Sequence, residues 1–232
     1  MTDVLLEVQG LVAGRGGFRL PPVELHLHAG DALALTGANG AGKTTLLKTL
    51  AGLIPPLSGR LTPGPGGVAY LAPPGVVTSG LTALEVVALG RVANRGWFGG
   101  PRPADLQAAR EALADLGQAD LADRPLDRLS SGQGQLVLFA QARLNPARVL
   151  LLDEPTALLD AGHAARVRAA LRAFRDEGRA VVVASHDPAL IGDQLQVWSV
   201  SVANIAPISG HLEATAAPAA CPLCGRSGDP AA

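Results

Sequence analysis

Lysine is almost missing from this chain: its 232 residues include 17 arginines but only two lysines, Lys43 and Lys48. Cysteine is as scarce. Cys221 and Cys224 both fall in the last dozen residues, so no disulfide framework is implied and the core is cysteine-free, which fits a reducing cytoplasm. No apolar run approaches the roughly 18–20 residues needed to cross a bilayer, so a membrane role has to come through a partner. No basic segment followed by a long apolar run opens the sequence, and no secretory signal is expected. A formal net charge of −1 excludes a global pull toward nucleic acid or anionic lipid. Aromatic residues make up 3%, so Trp97-Phe98 in the glycine-rich stretch 94–100 stands out, either as packing or as an exposed partner contact. The length suits one domain with room for a subdomain.

Against that background, a lysine at position 43 carries weight. Residues Gly37, Ala38, Asn39, Gly40, Ala41, Gly42, Lys43, Thr44 and Thr45 fit G-x-x-x-x-G-K-[ST]. Glycines let the backbone turn around an anion and aim successive N–H groups at phosphate oxygens. The following helix adds free N–H groups and the positive end of its dipole. Lys43 supplies a compact cation, and the Thr44 hydroxyl is placed to ligate Mg²⁺. The context agrees: an apolar run at 31–36 reads as a buried strand, and Leu46, Leu47 and Leu50 follow at helical spacing until Gly52.

Residues 3–9 and 23–28 read as strands; the second alternates, with Val23, Leu25 and Leu27 on one face and Glu24, His26 and His28 on the other. His26 and His28 are half a metal site at most, and a solvated face is the plainer reading. Pro55-Pro56 and Ser58-Gly59 break the chain, a short strand or hairpin region follows, and residues 66–71 form its clearest strand. Helices are expected at 81–91 and 103–116, the latter with Leu106, Ala109, Leu113 and Leu116 on one face. Apolar runs at 149–152 and 180–184 are continuous rather than alternating. That marks parallel strands covered on both faces, with a helix between them turning Val167, Leu171 and Phe174 inward. Residues 195–206 read as two closing strands, and the segment 213–232, rich in Ala, Pro, Gly and Ser, as a disordered tail. The fold expected is α/β: a P-loop NTPase core with a mostly parallel sheet, an N-terminal antiparallel β portion, and an inserted helical subdomain at about 73–145 within a domain of residues 1–212.

The apolar strand at 149–152 ends in Asp153-Glu154, at the sheet edge where a parallel topology also puts the phosphate loop. Asp153 is placed to hold Mg²⁺ or its water, and Glu154 to orient or deprotonate an attacking water. Leu129-Ser130-Ser131-Gly132-Gln133 precedes a further helix, with Ser130 as its cap and Gly132 open to an approaching ligand.

The phosphate loop, the LSSGQ stretch, LLLDEPT, ALLD at 157–160 and Ser185-His186-Asp187 stand in the order and spacing of the ATP-binding cassette (ABC) ATPases. The chain resembles that family over roughly residues 3–210. The resemblance implies ATP and Mg²⁺ as ligands and a head-to-tail pair of ATP-binding subunits. Each ATP would lie between one copy's phosphate loop and the other's Ser130 and Gly132. It further places Asp160 near the seam and His186 at the γ-phosphate, and it implies a transmembrane permease that holds the subunit on the cytoplasmic face of the plasma membrane. Residues 82–91 and 121–125 resemble importers of iron chelates, cobalamin or Zn/Mn ions.

Four departures accompany the resemblance. Pro73 stands where the family has a glutamine. The adenine-stacking aromatic falls on Phe18, or near Gly14 and Arg15. Ser131 replaces a glycine of the signature, and Leu136 an arginine. Pro73 motivates an alternative, a nucleotide-gated dimer with weak turnover. A soluble ABC protein of DNA repair or translation is disfavoured by the single cassette, the lack of a heptad insertion and the lack of basic excess; no nucleic-acid partner is expected. Cys221 and Cys224 form one C-x-x-C, without the second half of a zinc site.

Overall fold

The computed structural model describes residues 4–73, 80–92, 100–191, 196–200 and 205–207. Trp97-Phe98, Pro74-Gly75, the segment from 213 onward and the Cys221/Cys224 pair lie outside the described residues.

The first strand, β1 (Val4–Val12), pairs antiparallel with β4 (Val23–His28) and with β6 (Ser58–Pro63), giving a three-stranded sheet ordered β4-β1-β6. A small hairpin, β2 (Gly14–Arg15) and β3 (Phe18–Arg19), lies between β1 and β4 in the chain. The alternation of β4 is as expected, with Val23, Leu25 and Leu27 buried. Ser58-Gly59, expected as a break, instead opens β6. A Cβ at Gly59 would lie 2.3 Å from the Gly10 carbonyl oxygen, so the glycine is there because two backbones meet, not because the strand ends.

The second sheet has six strands in the order β11-β10-β5-β9-β8-β7. They are β5 (Ala32–Thr36), β7 (Val68–Leu71), β8 (Val149–Asp153), β9 (Ala180–Ala184), β10 (Gln196–Val200) and β11 (Ile205–Pro207). All neighbours are parallel except β11, which turns back antiparallel on β10. The continuous apolar runs of β8 and β9 are explained by two cores. Val149, Leu151, Val182 and Ala184 face α1 (Lys43–Leu50) and the antiparallel sheet; Leu150, Leu152, Val181 and Val183 face the helical layer.

That layer is inserted between β7 and β8: α2 (Ala83–Val92), α3 (Pro103–Asp115) and α4 (Ser131–Leu144). Helix α2 starts two residues later than the apolar pattern suggested, because Thr82 caps it: its backbone N–H donates to Glu85 Oε2 at 2.8 Å and its hydroxyl accepts from the Glu85 N–H. In α3, Ala109 and Leu113 are buried as expected. The buried Asp105 carboxylate accepts from the Arg102 N–H and pairs with Arg91 at 3.2 Å, tying α3 to α2. Helix α5 (Ala161–Asp176) buries Val167, Leu171 and Phe174 and leads into β9, after which come Ser185-His186-Asp187 and the short α6 (Pro188–Ile191).

Candidate active site

The chain leaves β5 at Thr36 and reaches α1 at Lys43 through glycines that no other residue could replace cheaply. Gly42 has φ +103°, and a Cβ there would lie 2.8 Å from the Phe18 ring; Gly37 passes so close to the Val200 carbonyl that a Cβ would sit 2.2 Å from its oxygen. The loop and the start of α1, from Asn39 to Thr45, form the floor of a cavity of about 380 Å³. Arg15, Phe18, Pro73, Asp153 and Glu154 complete its lining.

Lys43 is buried, and its ammonium donates to the carbonyls of Gly37 (2.7 Å) and Ala38 (3.2 Å). It also lies 3.1 Å from His186 Nε2, which in turn lies 3.5 Å from Glu154 Oε1. Glu154 follows the last residue of β8 and has φ +50°, the one positive φ at a non-glycine residue among the described residues. Its backbone N–H donates to the Ala184 carbonyl at 2.8 Å, so the turn is fixed between β8 and β9. Strain of this kind, of order 1–3 kcal/mol, recurs at functional sites.

Asp153 is 2% exposed, and the Tyr70 hydroxyl donates to its Oδ2 at 3.2 Å. Burial first, and then the Asp153 charge, pushes the Tyr70 hydroxyl well above the usual phenol range, so it remains a donor at neutral pH. The His186 segment is held by its neighbour. The Asp187 carboxylate accepts from Thr156 Oγ1 (3.3 Å), Arg168 (3.4 Å) and the Ala189 N–H (3.0 Å).

Ser130, Gly132 and Asp160 do not line this cavity. Ser130 caps α4, accepting from the Gln133 N–H while Gln133 Oε1 accepts from the Ser130 N–H. Gly132 sits against the turn that follows Glu154, where a Cβ would lie 2.8 Å from the Leu158 carbonyl oxygen. Asp160 caps α5: the His163 N–H donates to Oδ1 (2.9 Å) and the His163 ring lies 2.7 Å from Oδ2. These contacts, the backbone one foremost, hold the Asp160 carboxyl below its ordinary value. His163 also meets the buried Gln118 at 2.9 Å, across to the helical layer.

Of the departures, Gly14 packs against the Phe18 carbonyl, leaving Phe18 and Arg15 as the residues at the cavity wall. Leu136 is buried in the core beneath α4, which accounts for an apolar residue there. Pro73 is exposed at the wall beside Asp153. Sequence reasoning missed Tyr70, Thr156, Arg168 and His163. The D-x-x-H spacing of an N-cap announced His163, whereas Tyr70 depends on which strand neighbours which, and Thr156 and Arg168 on how the turn after β8 and helix α5 come to lie beside Asp187.

The sequence model of the ABC transporter family matches residues 20–157, over half of the chain. The chain belongs to the ABC transporter family. The cytochrome c biogenesis ATP-binding export protein CcmA of Paracoccus denitrificans is 41% identical over 186 residues, covering 78% of this cassette and 82% of its own length. Among solved structures, an inward-facing ABC transporter described as of metal-chelate type superposes with a TM-score of 0.75 at 29% identity, covering 88% of this chain and 83% of that one. An ATP-binding cassette captured as a dimer with ADP and phosphate superposes with a TM-score of 0.76 over 88% of this chain and 99% of its own; at 22% identity it attests the shared fold. This cassette is an ABC-transporter ATPase with ATP and Mg²⁺ as its ligands. The residues present fit both: a loop of backbone donors around a buried lysine suits a polyphosphate, and the hydroxyl of Thr44 and the carboxylate of Asp153, both lining the cavity, are hard oxygen donors of the kind Mg²⁺ takes. Among the described residues no helix is long and apolar enough to cross a membrane.

Proposed function

We propose that this cassette drives a transmembrane permease from the cytoplasmic face of the plasma membrane, working as one of two ATP-binding subunits. The observation that carries the reading is the meeting of Lys43, His186 and Glu154 over the phosphate loop, drawn from three distant parts of the sequence. In this reading the loop N–H groups from Gly37 to Thr45 and Lys43 hold the phosphates. Thr44 and Asp153 would hold Mg²⁺, which would supply positive charge to the phosphate oxygens. Glu154 takes the proton of the attacking water, and His186 positions that water and the terminal phosphate. Ser130 and Gly132, absent from their own chain's cavity, meet the ATP of the second subunit, and Asp160 lies at the seam.

Glu154→Gln tests the reading. The variant is expected to lose hydrolysis, to keep Mg-ATP and to run as a dimer on size exclusion. A monomer under saturating Mg-ATP, where the wild type turns over, overturns the paired site.

Import of a metal ion or metal chelate is supported by residues 82–91 and 121–125. The two segments touch: the Ala83 and Leu84 N–H groups donate to the carbonyls of Arg124 and Ala122, both at 2.9 Å. Export is the second reading, favoured by the 41% identity to CcmA. ATP-driven uptake or efflux in vesicles carrying the cassette with its permease separates them.

A further inference from the structure

The one tyrosine of this chain is bonded to the carboxylate that closes β8. Tyr70 pairs across the parallel β7–β8 ladder with Leu151. Asp153 lies two residues further along β8, so it shares a face with Leu151 and stands diagonally ahead of Tyr70. Strand β7 ends at Leu71, opposite Leu152, so no β7 residue is paired beside Asp153. The tyrosine ring bridges that step: it is long enough to reach forward, and its hydroxyl meets Oδ2 at 3.2 Å.

The bond answers a need on both sides. Asp153 is a carboxylate with 2% exposure at the end of a wholly buried strand, where an unpartnered charge is costly. A hydroxyl donated to one oxygen compensates it and restrains rotation of the carboxylate, so the group faces the cavity in one orientation. Three residues beyond Tyr70 the chain reaches Pro73, which offers no side-chain donor or ligand to the same wall.

We propose that Tyr70 is a positioning residue for the magnesium site, setting the orientation of Asp153 from the edge strand β7. This rests on the reading of Asp153 as a metal-holding residue. Groups that orient ligating carboxylates commonly change metal affinity about 10–100-fold when removed. Tyr70→Phe keeps the ring in its packing and removes only the donor.

The probe is Mn²⁺, titrated by electron paramagnetic resonance into the full chain with saturating ADP. Tyr70→Phe is expected to weaken Mn²⁺ binding about tenfold, while ADP affinity in excess chelator stays at the wild-type value. A second readout uses the wild type itself: 3-fluorotyrosine labelling gives a single ¹⁹F resonance, expected to move when Mg²⁺ joins the ADP complex. Mn²⁺ affinity within twofold of wild type, or a resonance that Mg²⁺ leaves in place, overturns the proposal. Loss of ADP binding in chelator also overturns it, because the effect would then be structural. Asp153→Asn separates the two levels. If that variant keeps wild-type Mn²⁺ affinity, the assignment of Asp153 itself fails. If it loses Mn²⁺ and Tyr70→Phe does not, only the role of Tyr70 fails.

Discussion

Adding one methyl group at Gly132 tests whether the glycine of the LSSGQ stretch is demanded by its own chain. A Cβ there would lie 2.8 Å from the Leu158 carbonyl oxygen, against an ordinary contact that begins at 3.4 Å, so the turn at 156–159 must yield by about 0.6 Å. The obstacle is backbone, which cannot rotate aside as a side chain would. Overpacking costs about 1–3 kcal/mol, and the lower part of that range suits a turn whose Leu158 side chain is exposed. The same methyl also gains helix propensity in α4, so at roughly 2–4 °C per kcal/mol Gly132→Ala should melt about 2–8 °C below a matched Gly→Ala change that meets no obstacle. Gly134, two residues along the same helix, is the control, since a Cβ there meets nothing within 4 Å. Gly134→Ala should melt about 2–4 °C higher from helix propensity alone. The turn also carries the Ala157 N–H bonded to the Glu154 carbonyl, so Gly132→Ala should lose ATPase activity below its melting range as well. Thermal unfolding followed by circular dichroism, with phosphate release at 25 °C, reads both effects. A Gly132→Ala protein that melts with or above Gly134→Ala refutes the packing argument.

Lys43→Ala removes the only side-chain cation among the described residues bonded to the loop carbonyls and is expected to abolish ATP binding, read by equilibrium titration with a fluorescent ATP analogue. Pro73→Gln places an amide at the cavity wall beside Asp153 and should raise permease-stimulated ATPase more than basal ATPase; equal stimulation in reconstituted membranes would show the position to be neutral. Asp160 is held below its ordinary value of 3.8 by His163, so its stabilisation is fully present above that value and is lost as pH falls through the lowered one. Asp160→Ala should therefore melt below the wild type at pH 7, with the gap narrowing as the pH drops under about 3.8.

What could be read from the sequence follows a physical divide. The phosphate loop, Asp153-Glu154 and the cap at Ser130 depend on residues within a few positions of one another, and local geometry placed them as the motif spacing demanded. The strands at 23–28, 149–152 and 180–184 were legible because burial on one face or two leaves different periodicities. Ser58-Gly59 misled because the glycine answered a distant backbone, Gly10, rather than a local turn. Tyr70 was invisible for a related reason: nothing near it in sequence says that β7 lies beside β8 in register. The same holds for Arg168 and Thr156, which reach Asp187 only once α5 and the turn after β8 are in place.

The split burial of β8 carries a consequence for error. Its four apolar residues divide between two cores, Val149 and Leu151 toward one and Leu150 and Leu152 toward the other. A slip of one residue against β9 would exchange those allegiances at once, forcing Leu150 into the space of Val149, carrying the Asp153 charge into the apolar place of Leu152 and putting Glu154 where Asp153 belongs. Both cores would object to the same mistake. Two adjacent acids with different duties could easily be interchanged on a loose strand. Here they are kept apart by hydrophobic contacts on either side that take no part in the chemistry.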